Sequence, residues 1–195
     1  MTTLIRSFIA IPLSPQILTN LAAFTRQHGL HSRESGFKPV KAENMHLSLK
    51  FLGEIDQNQV REVSQTLTQI TASLDPFRAA VRGIGAFPNW SNRVRVIWVG
   101  VEPVEPIRSV YRLIDEATVK IGVPSEDRAF SPHLTLARIS FMTRESELAL
   151  KRLKSISPEP EFGEFMADKV VFYRSTLLPQ GPVYNLISSH PFSAG

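Results

Sequence analysis

The sequence predicts a mixed helix-and-strand fold built as two related lobes, and three observations carry that prediction. Hydrophobic periodicity switches repeatedly between the strand period of two and the helical period of 3.6. The order strand, helix, strand, helix, strand occurs twice along the 195 residues. The middle strand of each copy carries nearly the same segment, "HLSLKF" from His46 and "HLTLAR" from His133, 87 positions apart. Internal spacing matches as well: Phe8 precedes His46 by 38 positions, and Ile97 precedes His133 by 36. Val81 and Asp168, in the strand that follows each copy, both lie 35 positions beyond their histidine. Such matching is expected of two lobes related by a pseudo-twofold axis. No Pro/Gly/Ser-rich linker separates them, so residues 1–195 read as a single bilobal domain.

The elements follow in order. A strand over Arg6–Pro12 ("RSFIAIPL") leads to a helix over Pro15–Gln27, which Ser14 can cap and Pro15 can open. The segment "HGLHSRESGFKPVKAE" reads as a polar loop before the strand Met45–Gly53. A helix then runs from Asp56, its N-cap, to Leu74, where Asp75-Pro76 stops it. "FRAAVRGIGAF" is a strand, "PNWSNR" a loop, and "VRVIWVGV" a strongly apolar strand. In the second half, "EPIRSVYRLIDEATVKIG" is helical with Gly122 as its stop, followed by a strand over Pro132–Ile139. A helix capped by Thr143 and extending to Ile156, a strand over Asp168–Ser175, and a final strand "VYNLISSHPF" complete the chain.

Composition narrows the setting. The chain has no cysteine, which excludes disulfides and thiolate metal sites and makes a cytoplasmic location the default expectation. Its apolar N-terminal run reads as a strand rather than a signal peptide, and no stretch approaches 18 apolar residues. With 22 Lys+Arg against 18 Asp+Glu, the net charge of +4 favours anionic partners only mildly.

The two histidine strands carry the chemistry. Strict alternation places His46, Ser48 and Lys50 on one face and Leu47, Leu49 and Phe51 on the other. It likewise pairs His133 with Thr135, against Leu134 and Leu136. One exposed histidine is ordinarily a solvated surface residue; two at matched positions in matched halves point to a shared site between the lobes. His28, His31 and His190 read as surface residues in loops or near the chain end. A metal site would need a third ligand, and neither an HExxH motif nor a carboxylate on the same face accompanies either segment. A Ser-His-Asp hydrolase lacks its GxSxG elbow. What remains is general acid–base catalysis, one imidazole deprotonating a nucleophile while the other protonates a leaving group. Ser48 and Thr135 would bind the nonbridging oxygens of a phosphate, and Lys50 and Arg138 would supply positive charge. Cyclic phosphodiester hydrolysis needs these parts.

"HLSL" and "HLTL" resemble the paired His-x-Ser/Thr motifs of the two-histidine (2H) phosphoesterases. "RSFIAIPL", "ENMHLSLKFLGEI", "GIGAFPN" with "RVIWVGV", "FSPHLTLARI" and "VVFYRSTL" together resemble, in order, the RNA 2′,3′-cyclic phosphodiesterases, also called LigT-like 2′-5′ RNA ligases. This resemblance implies an α+β fold with antiparallel sheets flanked by helices around a central cleft. It implies hydrolysis of RNA 2′,3′-cyclic phosphate ends, or of small cyclic nucleotides, to 2′-phosphates, with no metal and no cofactor. Ligation of 2′-5′ bonds would be the reverse of cleaving them at the same site. His46 is implied as the proton donor and His133 as the proton acceptor, with Ser48 and Thr135 binding substrate. Arg138 ends the second motif, but alternation puts it on the leucine face, so a bulge or the strand's end must redirect it. Phe130 is placed either to stack on a base or to join the core. Trp98 is expected in the core, while Trp90, in a loop, either touches RNA or covers the surface. Tyr173 and Arg174 fall in the last matched strand with no evident role. A monomer is expected, with no membrane contact.

Overall fold

The start signals act where the sequence places them. In the computed structural model, which describes residues 4–91, 93–126 and 129–193, Ser14 accepts a hydrogen bond from the Ile17 amide and opens helix α1 (Pro15–Gln27). Asp56 caps α2 (Gln57–Thr71), and Gln59 bonds back to the Asp56 amide in a capping box. Thr143 caps α4 (Arg144–Lys154) in the same reciprocal way with Ser146. Each such cap contributes about 1 kcal/mol by satisfying amides that the helix leaves unpaired. The remaining long helix, α3 (Val104–Lys120), ends before Gly122, whose φ of +89° suits a residue without a Cβ.

The strands are β1 (Ile5–Ile11), β2 (Phe37–Pro39), β3 (Leu47–Ile55), β4 (Phe77–Phe87), β5 (Val96–Glu102), β6 (His133–Ile139), β7 (Glu161–Ala167), β8 (Lys169–Leu178) and β9 (Gly181–Pro191). They form two antiparallel sheets, ordered β3-β1-β8-β9 and β2-β6-β5-β4-β7. The fold is α+β and bilobal, as expected, and the pseudo-twofold relation is visible in the pairing. In one sheet the first strand β1 lies between the histidine strand β3 and β8; in the other, β5 lies between β6 and β4. The two halves therefore exchange their third strands: β4 from the first half completes the second sheet, and β8 from the second completes the first. Helices α2 and α3 cover the first sheet, and α1 and α4 contact the second.

Two strands were not expected. Phe37–Pro39, within the segment read as a loop, adds to the free edge of β6. Strand β7 escapes an alternation search because Phe162 has no cross-strand partner, so its buried residues Phe162 and Phe165 are three apart. This is a β-bulge, which inserts one residue and inverts the faces beyond it.

The same device corrects the reading of the histidine strands. Ala10 pairs with Ser48 and Ile9 with Lys50, leaving Leu49 unpaired; Trp98 pairs with Thr135 and Ile97 with Ala137, leaving Leu136 unpaired. Past each bulge the faces swap. Lys50, expected beside His46 and Ser48, points instead to the core side and is fully buried. Phe51, expected in the core, is 54% exposed. Arg138 receives the redirection that alternation denied it and joins the face of Thr135.

Lys50 is therefore a structural residue. Its Nζ donates to Asp115 Oδ1 of α3 at 2.5 Å and to the Pro124 carbonyl at 2.6 Å, and Ser125 Oγ donates to Asp115 Oδ2 at 2.7 Å. Burial pushes the Asp115 carboxyl up, but the hydrogen bonds from Lys50 and Ser125 outweigh it and hold the group below the usual carboxylate range. Removing one partner from such a pair leaves a charge without compensation. Lys50→Met is expected to lower the unfolding free energy by about 3 kcal/mol in urea titration; an unchanged midpoint would show that Lys50 anchors nothing.

Candidate active site

Between the sheets lies a cleft of about 700 Å³. Strands β3 and β6 contact each other although they belong to different sheets, so the two histidine strands meet there. One wall carries Ser48 and Phe51; the other carries His133, Thr135 and Arg138, with Phe130 beside them. Arg93 and Arg95, which the sequence reading did not single out, add two further guanidinium groups. Among the described residues the cleft thus holds two hydroxyls from matched positions, a histidine and a cationic rim, against one acidic side chain, Glu126.

His46 stands just before β3, two residues from Ser48. Its ring stacks on Phe8 of β1 with centroids 4.6 Å apart and meets the edge of Tyr184 from β9 at 5.3 Å. Phe8, Ala10 and Val171 form a small apolar cluster separate from the main core, with Tyr173 and Tyr184 packed on it. That cluster is the bed on which the His46 ring lies. His133 has a corresponding bed, with Phe87 edge-on at 4.9 Å and Trp98 at 6.1 Å. Trp98, expected in the core, is half-buried here and reaches this position by lying across Gly85, where any Cβ would overlap the indole.

Both rings are held by the residue two positions earlier. His133 Nδ1 bonds the Ser131 carbonyl at 2.8 Å, and His46 bonds the backbone of Asn44. Such a bond to Nδ1 fixes the His133 tautomer with Nε2 as the free nitrogen. Asn44 is itself tied down, its side-chain amide donating to the Pro182 carbonyl at 2.9 Å. Burial lowers the pKa of His46 to about 4, with the Asn44 bond opposing it. Burial also lowers that of His133; the bond to Ser131 opposes, and the charge of Arg138 adds to the lowering. Burial pushes the Tyr184 phenol up, and the charges of Arg138 and Arg6 oppose that rise.

Several other readings resolve. Phe130 stacks face to face on Tyr111 at 4.2 Å while lining the cleft, so it packs and faces the site at once. Trp90 is half-buried and packs on the main core. Tyr173, without an assigned role, lies in the aromatic bed of His46 at 6.4 Å. His190 is a correction: it is buried rather than a surface residue, held by Ser188 Oγ at 2.8 Å and Thr68 Oγ1 at 3.0 Å. His28 is half-buried against Phe24 at 4.2 Å rather than a surface residue, while His31 is exposed as expected. Tyr184 was missed because only register, and no local motif, brings β9 beside the first histidine. Among the described residues no group of three metal-ligating His, Asp or Glu side chains converges, and no helix is long and apolar enough to cross a membrane.

Comparison with known proteins agrees with the internal symmetry. The family model described as LigT like Phosphoesterase matches twice, over residues 11–98 and 99–184, once for each half. The chain belongs to this family. A relative from Methanocaldococcus jannaschii, named RNA 2′,3′-cyclic phosphodiesterase, is 34% identical over 184 residues, spanning 93% of this chain and 98% of its own. Another so named, from Thermotoga maritima, is 30% identical and spans 97% of both chains. Among solved structures, Thermus thermophilus TT0787 superposes with a TM-score of 0.79 at 26% identity, covering 96% of this chain and 98% of its own.

The burial of His46 has a consequence for stability. A histidine whose folded pKa lies below its unfolded value binds its proton more readily in the unfolded chain as pH falls through that interval. The stability that neutral His46 retains above pH 6.5 is therefore lost progressively as the pH drops to about 4. The interval corresponds to about 3 kcal/mol. Denaturant titrations at pH 7 and pH 4 are expected to show a smaller loss for His46→Gln than for the unsubstituted protein. Equal losses would mean that His46 titrates normally.

Proposed function

We propose that this protein hydrolyses RNA 2′,3′-cyclic phosphate ends to 2′-phosphate ends by acid–base catalysis between His46 and His133, with no metal. The observation that supports the proposal is the duplicated strand: matched His-x-Ser/Thr segments, each with a bulge after the hydroxyl residue, lie on strands of different sheets that contact each other, and Ser48, His133 and Thr135 from them line one cleft, with His46 just before Ser48. The M. jannaschii and T. maritima relatives are named RNA 2′,3′-cyclic phosphodiesterases, which supports the same substrate.

In this reading the phosphate sits between Ser48 and Thr135, whose hydroxyls donate to its nonbridging oxygens, and Arg138 stabilises the charge that develops there. His133 takes a proton from water as the water oxygen bonds to phosphorus. The bond from phosphorus to the 3′ oxygen breaks, and His46 delivers a proton to that oxygen. Phe51 and Phe130 offer apolar ring surface for the terminal base. Lys50 has no part in binding, since its ammonium is buried and committed to Asp115 and Pro124.

The lowered pKa values fix how the proton reaches His46. At neutral pH the free imidazole is neutral, and an anionic phosphate placed against it raises its pKa by about 1–3 units. Starting from about 4, such a rise brings the imidazole pKa toward neutral pH, so substrate binding raises the fraction of charged donor. Because kcat/KM reports the free protein, its falling limb is expected below pH 6.5, and that of kcat at higher pH. A kcat/KM still rising above pH 7 would contradict this.

Incubation with a nucleoside 2′,3′-cyclic phosphate in EDTA tests the whole reading. A 2′-monophosphate is the expected product; a 3′-monophosphate would reverse the leaving-group assignment. His46→Ala and His133→Ala should each lower the rate by at least ~10²-fold, and near-normal turnover in either would remove that residue from the mechanism.

A further inference from the structure

Beyond the cleft, a second concavity of about 350 Å³ is lined by Trp90, Val94, Met142, Leu150, Lys151 and Lys154, with Glu147 at its edge. Arg93 lines both this concavity and the cleft, so the two are continuous through one guanidinium. Cleft chemistry does not use this region. Its composition is nonetheless that of a single-strand nucleic-acid track, with an aromatic face and apolar floor flanked by cations.

Some cations of the molecule are committed to carboxylates, and among the described residues those lining this concavity are not. Arg82, Arg112 and Lys50 are each bound to a carboxylate. Arg93, Lys151 and Lys154 make no ion pair among the described residues, although Glu147 lies one helical turn from Lys151. Lys151 and Lys154 sit in the last turn of α4, and both are exposed. Trp90 is anchored from behind by the core and so presents a ring already fixed in place, which limits the entropy lost when a base stacks on it.

We infer that this concavity, a site distinct from the cleft, binds the nucleotides on the 5′ side of a cyclic-phosphate RNA end. A base lies on Trp90, and the backbone passes from Arg93 to Lys151 and Lys154. The inference rests on the phosphodiesterase reading and adds a preference: oligoribonucleotides are better substrates than mononucleotides. The mononucleotide fills the cleft alone, so only longer substrates gain from the second site.

The test compares kcat/KM for a short oligoribonucleotide ending in a 2′,3′-cyclic phosphate with that for a nucleoside 2′,3′-cyclic phosphate. The expected result is a higher value for the oligomer. The double variant Lys151→Ala/Lys154→Ala should lower only the oligomer's value and should flatten its dependence on log salt by about 1.4, two lost phosphate contacts. Trp90→Leu, which keeps an apolar plug, should cost the oligomer about fivefold or more, the scale of one stacked base. Equal effects on both substrates, or none on either, would overturn the inference while leaving the phosphodiesterase reading in place. If the unsubstituted protein turned over neither substrate, that reading would fall and the inference with it.

Discussion

In each histidine strand the leucine that follows the motif's hydroxyl residue has no partner across the sheet, Leu49 in β3 and Leu136 in β6, and the faces of both strands invert at that point; β3 skips a second leucine, Leu52, further on. Before the bulge, the hydroxyl of the motif faces the cleft and leucine faces the core. Beyond it, Phe51 and Arg138 occupy corresponding cleft positions, and Lys50 and Ala137 correspond on the core side. Without the bulges, the cleft would gain Lys50 and lose Arg138. With them, one lobe supplies a ring and the other a guanidinium, so a symmetric scaffold carries an asymmetric site.

The exchange of β4 and β8 gives the cleft its stability. Each sheet is completed by a strand from the other half of the chain, so separating the lobes would mean breaking both sheets. The aromatic beds also depend on it: Tyr173 and Tyr184 reach His46 through β8 and β9, and Phe87 reaches His133 through β4. Burial in those beds is what lowers the two histidine pKa values, so the electrostatics of the site follow from topology.

Local signals proved readable where the physics is local. Ser14, Asp56 and Thr143 sit at helix starts because a side-chain oxygen can satisfy exposed amides within three residues, and nothing distant competes. The repeat of two halves was also legible, since matched spacing survives any fold in which the halves are equivalent. What alternation could not supply was register. The apolar positions Leu47, Leu49, Leu52 and Ile55 step by two, then three, then three, a pattern that a bulged strand produces and a regular one does not. Applied to "HLSLKF", that pattern places Lys50 inward and Phe51 outward. Tyr184 and His190 were beyond local reading, because His46, beside Tyr184, and Thr68, bonded to His190, each lie more than 120 positions away.

The central claim is that His46 and His133, on separate lobes, serve one phosphate site. Histidine ring resonances followed by NMR across pH, with and without inorganic phosphate, test it most directly. Phosphate bound at the shared cleft should raise the pKa of both imidazoles together, each from below 6.5. A rise confined to one ring, or to neither, would show that the two histidines do not share a phosphate site.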